Sequence, residues 1–339
     1  MTWSTSKLLR VGIPGIIISL LAIWFIVSQI DFRLFIEALQ TARYIYLLPC
    51  IVFLLLGLVT RARRWQVLLN NALILPRAFR IMNVAYLVNG VLPLRIGEVA
   101  RVYLAAQGEQ SVPIPQTTST IIVERLLDLL AVVVMLLLAL SVAPVPVEIQ
   151  RAGMISAVLA MSGFLLLVLL AANRAFLHRL LDRLQGAAPE QSPFWQRFPI
   201  RKWLDQFLDG LLPITQPQKL LSVIGWTALS WILSIIAGYW LMFAFFEQGD
   251  IATTMLYIAA AAFAIALPAV PGNVGTYEAS ILLALVAMGY PQSGTTLAFA
   301  VMVHAVNVFV HASTGVIGFI QEGISLGQLR TGVQHMNRQ

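Results

Sequence analysis

The residues of this chain that could do chemistry are charged side chains set in apolar sequence. "NGVLPLRIGEVAR" carries Asn89, then Arg95, Glu98 and Arg101 three residues apart, beside the helix breakers Pro93 and Gly97. Residues at that spacing share one side of a helix. A guanidinium fork there would take phosphate oxygens two at a time. In "IIVERLLDLLAVVV", Glu124 and Asp128 are four apart with Arg125 beside them. Like charges at that spacing repel, so apolar surroundings demand a cation between them: Arg125, or Arg95 or Arg101 from the preceding stretch. These charges suit either headgroup binding or an ion-pair network that locks helices together.

"LPAVPGNVGTYEAS" places Pro271, Gly272 and Gly275 ahead of Glu278. A helix starting near Tyr277 would aim its first N–H groups at an anion. Glu278 is then a cap, a proton carrier or a partner for Arg95. His304, Asn307 and His311 fall at i, i+3 and i+7, one polar stripe on a long apolar helix, fit for relaying protons or for hydrogen-bonding the bundle. Arg64, in "TRARRW", reads mainly as an orientation and aromatic-belt signal and more weakly as a headgroup ligand. Summed over the inward positions, Arg95, Arg101 and Arg125 face Glu98, Glu124, Asp128 and Glu278. That near-neutral set suits a zwitterionic or phosphate-bearing headgroup better than a simple ion pore.

The sequence has no CxxC, HExxH, GxSxG or aspartate-rich metal motif, so neither a metal nor a cofactor is expected, and Cys50 is its single cysteine.

The elements that position these residues belong to a membrane. Of 339 residues, 59% are hydrophobic and 11% charged, with mean hydropathy +0.84; a soluble domain carries about a quarter charged residues. The net charge of +7 reads as basic loops beside anionic lipid rather than as a nucleic-acid surface. The fold class is therefore all-α, a polytopic helical bundle of about six to eight transmembrane helices.

Clear spans are Val11–Ile30, Tyr44–Thr60, Leu126–Val145, Met154–Ala172, Leu220–Phe246 and Thr296–Ile320. Val11–Ile30 is too long for a signal-peptide core and no small-residue cleavage site follows, so it is read as a retained first helix. Arg61–Arg80 holds five arginines and no acid, and Asn173–Lys219 is net basic, whereas Glu247–Asp250 is acidic. The positive-inside rule then puts both termini in the cytoplasm of a plasma or inner membrane.

Ile81–Leu94 is too short to cross. It is expected to enter and return as a re-entrant hairpin with "LPLRIGE" at its tip. Ile251–Val270 and Tyr277–Gly289 would do the same from the other side with "VPGNVGTYE" at the tip, the competing reading being two ordinary spans. Span, hairpin and span occur twice in opposite orientations, as in inverted-repeat transporters with a midplane site. One membrane domain, 8–320, is expected, with half-repeats at about 44–145 and 220–320, a loop at 173–219 and a tail at 321–339. In the loop, Phe176–Leu184 and Trp203–Leu211 pattern as amphipathic helices lying in the interface.

Taken together, "RRW…LL" (Arg63–Leu69), "LPLRIGEVAR" (Leu92–Arg101), "ERLLD" (Glu124–Asp128) and "PGNVGTYE" (Pro271–Glu278) resemble the membrane domain of lysylphosphatidylglycerol synthases. The resemblance runs from about Leu8 to Ile320. The same domain occurs alone in flippase-like bacterial and archaeal membrane proteins. Large members add a soluble aminoacyl-transferase domain. Here the chain ends at Gln339, so aminoacylation is not expected to carry over. What the resemblance implies is translocation of a lipid or lipid-linked headgroup between leaflets. Expected partners are membrane lipids, not nucleic acid, with a homo-oligomer or lipid-biosynthesis enzymes as further candidates. The alternatives are an intramembrane transferase using the carboxylates as acid and base, or an accessory protein in lipid or lipid-linked glycan biosynthesis.

Overall fold

The structure, a computed structural model, describes residues 32–91, 96–108, 110–141, 147–186, 199–266 and 271–323. The expected span Val11–Ile30, the tip residues Leu92–Arg95 and Leu267–Val270, the linker 187–198 and the tail from 324 lie outside the described residues. Within them the protein is all helical, with no strand.

The helices are α1 (Phe32–Thr41), α2 (Leu47–Leu68), α3 (Leu75–Val91), α4 (Ile96–Ala105), α5 (Ile114–Leu140), α6 (Val147–Ala172), α7 (Arg174–Gly186), α8 (Ile200–Thr215), α9 (Pro217–Phe245), α10 (Ile251–Ala266), α11 (Thr276–Ala287) and α12 (Gly294–Gln321). Four stretches are long and apolar enough to cross a membrane: Tyr44–Leu68, Met154–Ala172, Pro217–Phe245 and Gly294–Gln321. The 27 residues of α5 reach about 40 Å, but Glu124, Arg125 and Asp128 interrupt its apolar surface. On α6 the apolar residues point outward: Ile155, Val158 and Leu159 are each more than 60% exposed, as a lipid-facing helix requires.

One expected boundary moves. The span read as Tyr44–Thr60 continues as helix to Leu68, so Arg61, Arg63 and Arg64 sit on α2 rather than in a loop. The helix stops where Asn70 and Asn71 take left-handed backbone (φ 54° and 60°), a conformation asparagine tolerates and a helix cannot continue through. The turn is tied by Gln66 Nε2 donating to Leu73 O at 2.9 Å. Because α3 begins at Leu75, the expected basic loop is a short turn between two helices.

The two broken segments are built alike. α3 and α4 fold back on each other across the first break, α10 and α11 across the second. At 16 and 12 residues, α10 and α11 reach about 24 and 18 Å, short of the ~30 Å hydrocarbon core. In the first pair, Asn89 Oδ1 accepts the Gly97 N–H at 2.8 Å. A Cβ at Gly97 would lie 2.0 Å from Ala85 O, so only glycine lets the arms meet. In the second, Gly272 and Gly275 have φ of 71° and 87°, open to glycine and strained for most other residues.

The long helices then pack reciprocally. α12 lies on α3 and α5 on α10, so each long helix following one broken pair covers the first arm of the other; α2 and α9 pair along their lengths. Gly315 and Gly318 bring α12 onto the α3 backbone, where added Cβ atoms would stand 2.7 Å from Asn83 O and 2.9 Å from Arg80 O. Small residues commonly permit such approach between membrane helices. Arg80 Nε to Glu322 Oε1 at 2.7 Å closes the end of that contact.

The loop helices depart in part from an interfacial position. On α7, Phe176 and Leu180 are exposed, as expected. On α8, Trp203 is exposed but Leu208, Leu211 and Ile214 are buried against α5, α6 and α2. The apolar face of α8 is thus partly covered by protein rather than wholly by lipid.

Candidate functional site

Three helices bring charge to one place beside the middle of α5. Leu127 is the middle residue of the 27-residue α5, so Glu124, Arg125 and Asp128 lie within about one turn of its centre. Trp231 is the middle residue of the 29-residue α9. From α2, Arg64 enters between the two acids. Its Nη1 meets Asp128 Oδ1 at 2.6 Å and its Nη2 meets Glu124 Oε1 at 2.9 Å. Arg64 Nη2 also donates to Asp128 Oδ2 at 3.1 Å, and Nη1 to Thr227 Oγ1 at 3.3 Å. From α4, Arg101 Nη2 reaches the second Glu124 oxygen at 2.5 Å, with its guanidinium 3.8 Å from the Trp65 ring centroid. Trp65 donates to Thr120 Oγ1 at 3.2 Å, and Trp231 donates to Asp128 Oδ1 at 3.2 Å.

Burial grades this network. Arg64 is 1% exposed, Arg101 and Glu124 3%. Asp128 is 23% exposed, and the Arg125–Glu98 pair, 2.9 Å apart, is 39% and 27% exposed. The first group is a foundation whose charges are consumed by one another. The second is an ion pair with an open side.

A second polar group sits at the other break. Glu278 Oε2 accepts the Gly275 N–H at 2.7 Å, capping α11, while Oε1 is 2.6 Å from His304 Nδ1. The Tyr277 ring stacks on His304 at 4.5 Å. Asn307 and Val308 are the middle residues of α12, so the stripe straddles its centre. His304 faces the second break, Asn307 donates to Val303 O at 2.8 Å, and His311 lies 5.1 Å from the Tyr86 ring on α3. The 3-10 turn Pro271–Asn273 packs on α3, where a Cβ at Gly272 would stand 3.5 Å from Gly90 O. The turn after the second break therefore meets the end of α3, and α12 packs on both α3 and α11.

Of the residues singled out from sequence, Glu98, Arg101, Glu124, Arg125 and Asp128 converge on one network, and Glu278 and His304 on another. Asn89, Gly272, Gly275 and Pro271 shape the breaks. Asn307 binds its own helix. Arg95 lies outside the described residues.

Among the described residues the cation between Glu124 and Asp128 is Arg64, not Arg125 or Arg101. Arg101 joins it at Glu124, and Arg125 turns to Glu98. Nothing local in "TRARRW" separates an inward Arg64 from one at the headgroups; its partners on α5 and α9 do. Arg61 was weighed only as loop charge. It lies on α2 with its guanidinium 5.4 Å from the Trp231 ring centroid. Among the described residues no group of three or more His, Cys, Asp or Glu is placed to hold a metal.

The family model for the lysylphosphatidylglycerol synthase TM region matches residues 12–315. The chain belongs to this family. The match takes in both polar groups and every long helix but the end of α12, so the ion-pair network and the paired breaks lie within the family domain. Membership makes this a membrane protein of lipid biosynthesis or translocation. Comparison with curated proteins and with solved structures returns no match.

Proposed function

We propose that the protein moves a lipid or lipid-linked headgroup between leaflets through a polar chamber at mid-bilayer. One observation carries this reading: at the centre of α5 the Arg125–Glu98 pair is 39% and 27% exposed. A charge at that depth costs about 2.5–3.5 kcal/mol against lipid, so it faces a water-filled cavity or a polar ligand. The buried Arg64–Glu124–Arg101 set holds α2, α4 and α5 in place beneath it, which leaves Arg125 and Glu98 as the pair that exchanges partners with a headgroup.

Three further features support it. The short paired helices fit re-entrant hairpins entering from opposite faces. The reciprocal packing of α12 on α3 and α5 on α10 fits inverted repeats about the α2–α9 pair. The basic Arg77/Arg80 end fits the cytoplasmic side, with both termini inside. Each carboxylate of the two groups is held by an arginine or a histidine, so a transferase has no supporting observation of its own. With Glu278 on His304, the second break offers a proton-linked gate rather than a phosphate ligand.

The test is leaflet exchange in proteoliposomes containing fluorescent phospholipids or an isoprenoid-linked probe, read by dithionite quenching. The wild type is expected to exchange a probe rapidly. Arg125→Gln and Glu98→Gln should slow it about tenfold or more, the equivalent of ~1.4 kcal/mol in barrier. Exchange unchanged in both variants, or none with any probe, would overturn the reading.

A further inference from the structure

Among the described residues around the chamber, one cation is left without an ion-pair partner; Arg95 lies outside them. Arg64, Arg101 and Arg125 are matched by Glu98, Glu124 and Asp128. Arg61 is not: among the described residues it makes no ion pair. Nor is it at the end of its helix. Arg61 is fewer than four residues past the middle of the 22-residue α2, about 5 Å along the axis. Its guanidinium lies 5.4 Å from the Trp231 ring centroid, and the indole N–H of that same ring holds Asp128. It is half-buried and within electrostatic reach of Asp128 and of His311, without contacting either. Both Asp128 oxygens are already taken by Arg64.

A guanidinium at that place in the helix, set over an aromatic face and with no ion pair among the described residues, is an incomplete ion pair. Cation–π contact offsets part of the desolvation but does not neutralise the charge. The missing partner is an anion that comes and goes. We propose that Arg61, backed by Trp231, is the phosphate subsite of the chamber, binding one phosphate monoanion bidentately. This rests on the lipid-translocation reading for its source: the phosphodiester of a phospholipid rather than free phosphate.

The experiment is calorimetric titration of the purified protein in uncharged detergent with dihexanoylphosphatidylglycerol, inorganic phosphate and phosphate-free dihexanoylglycerol. The wild type is expected to bind the phosphodiester, Arg61→Gln about tenfold or more weakly, as loss of a charge-assisted hydrogen bond predicts, and Arg61→Lys in between. Dihexanoylglycerol should not distinguish the three proteins. Inorganic phosphate binding the wild type tighter than the phosphodiester, with the same Arg61 dependence, keeps the subsite and changes its source. Equal phosphodiester affinity in wild type and Arg61→Gln, with both eluting as folded protein, overturns it. Leaflet exchange separates the two claims. Arg61-dependent binding without exchange in any lipid overturns only translocation; exchange undiminished in Arg61→Gln overturns only the subsite.

Discussion

Replacing Arg64 with methionine tests whether the foundation beneath the chamber is what orders α2, α4 and α5. The substitution keeps the stem and removes the guanidinium. It deletes hydrogen bonds of 2.6 and 3.1 Å to Asp128, 2.9 Å to Glu124 and 3.3 Å to Thr227. Glu124 keeps Arg101, but Asp128 keeps only the Trp231 indole at 3.2 Å. Two carboxylates one turn apart then repel on a helix that is apolar on either side of them. Losing one partner of a buried pair costs about 3–5 kcal/mol. Since Arg64 is 1% exposed, solvent screening offers no relief, and the upper half of that range is expected. The assay is reversible unfolding in mixed micelles by increasing SDS fraction, followed by tryptophan fluorescence. Adding Asp128→Asn to Arg64→Met should restore about 1–3 kcal/mol, the coupling typical of contacting residues. Arg63→Met, which loses only a bond to Gln66, should stay within about 1 kcal/mol of wild type. Arg64→Met within about 1 kcal/mol of wild type would refute the reasoning.

The paired breaks and the helix ends make further predictions. Gly97→Ala should destabilise by about 1–3 kcal/mol, through a Cβ 2.0 Å from Ala85 O and loss of the Asn89 clasp; Gly90→Ala, where a Cβ meets nothing within 4 Å, should be neutral or stabilising by about 0.5–1 kcal/mol. The same SDS titration reads both. Glu278→Ala should cost about 2 kcal/mol or more, because the α11 cap and the His304 partner go together, whereas Glu278→Gln keeps an acceptor for Gly275 and should cost less. Trp65→Phe removes the donor to Thr120 and should cost about 1–2 kcal/mol. Glu322→Ala, releasing Arg80 and Arg77 at a partly exposed end, should cost about 1 kcal/mol or less, and the difference should shrink in high salt.

Glu98, Arg101, Glu124 and Asp128 were legible from sequence because charge in an apolar run is costly wherever the run ends up, and the spacings put them on one side. The breaks were legible because Pro93, Pro271, Gly272 and Gly275 disfavour helix. Arg64 and Arg61 were not, for a physical reason: arginines at the end of an apolar run are what any membrane helix shows at its cytoplasmic end. The run "VTRARRWQVLL" looks the same whether those arginines meet headgroups or turn inward. Only the partners on α5 and α9, 60 or more residues away in sequence, separate the cases. The choice of Glu98 by Arg125, and of His304 by Glu278, was hidden likewise, since local spacing does not say which helix lies opposite. The burial of Leu208, Leu211 and Ile214 shows the same limit, because an amphipathic face is equally at home on lipid and on a neighbouring helix.

The central claim is that the half-exposed charges at mid-depth face a wet chamber and not lipid, and thiol accessibility in the membrane tests it directly. In a Cys50→Ala background, Arg125→Cys and Val134→Cys place a thiol on the same helix. Arg125 is 39% and Val134 55% exposed on the protein alone. A charged, membrane-impermeant methanethiosulfonate reagent applied to reconstituted protein should label Arg125→Cys and spare Val134→Cys, despite the greater exposure of Val134. Equal protection of the two positions, or labelling of Val134→Cys alone, would contradict the account.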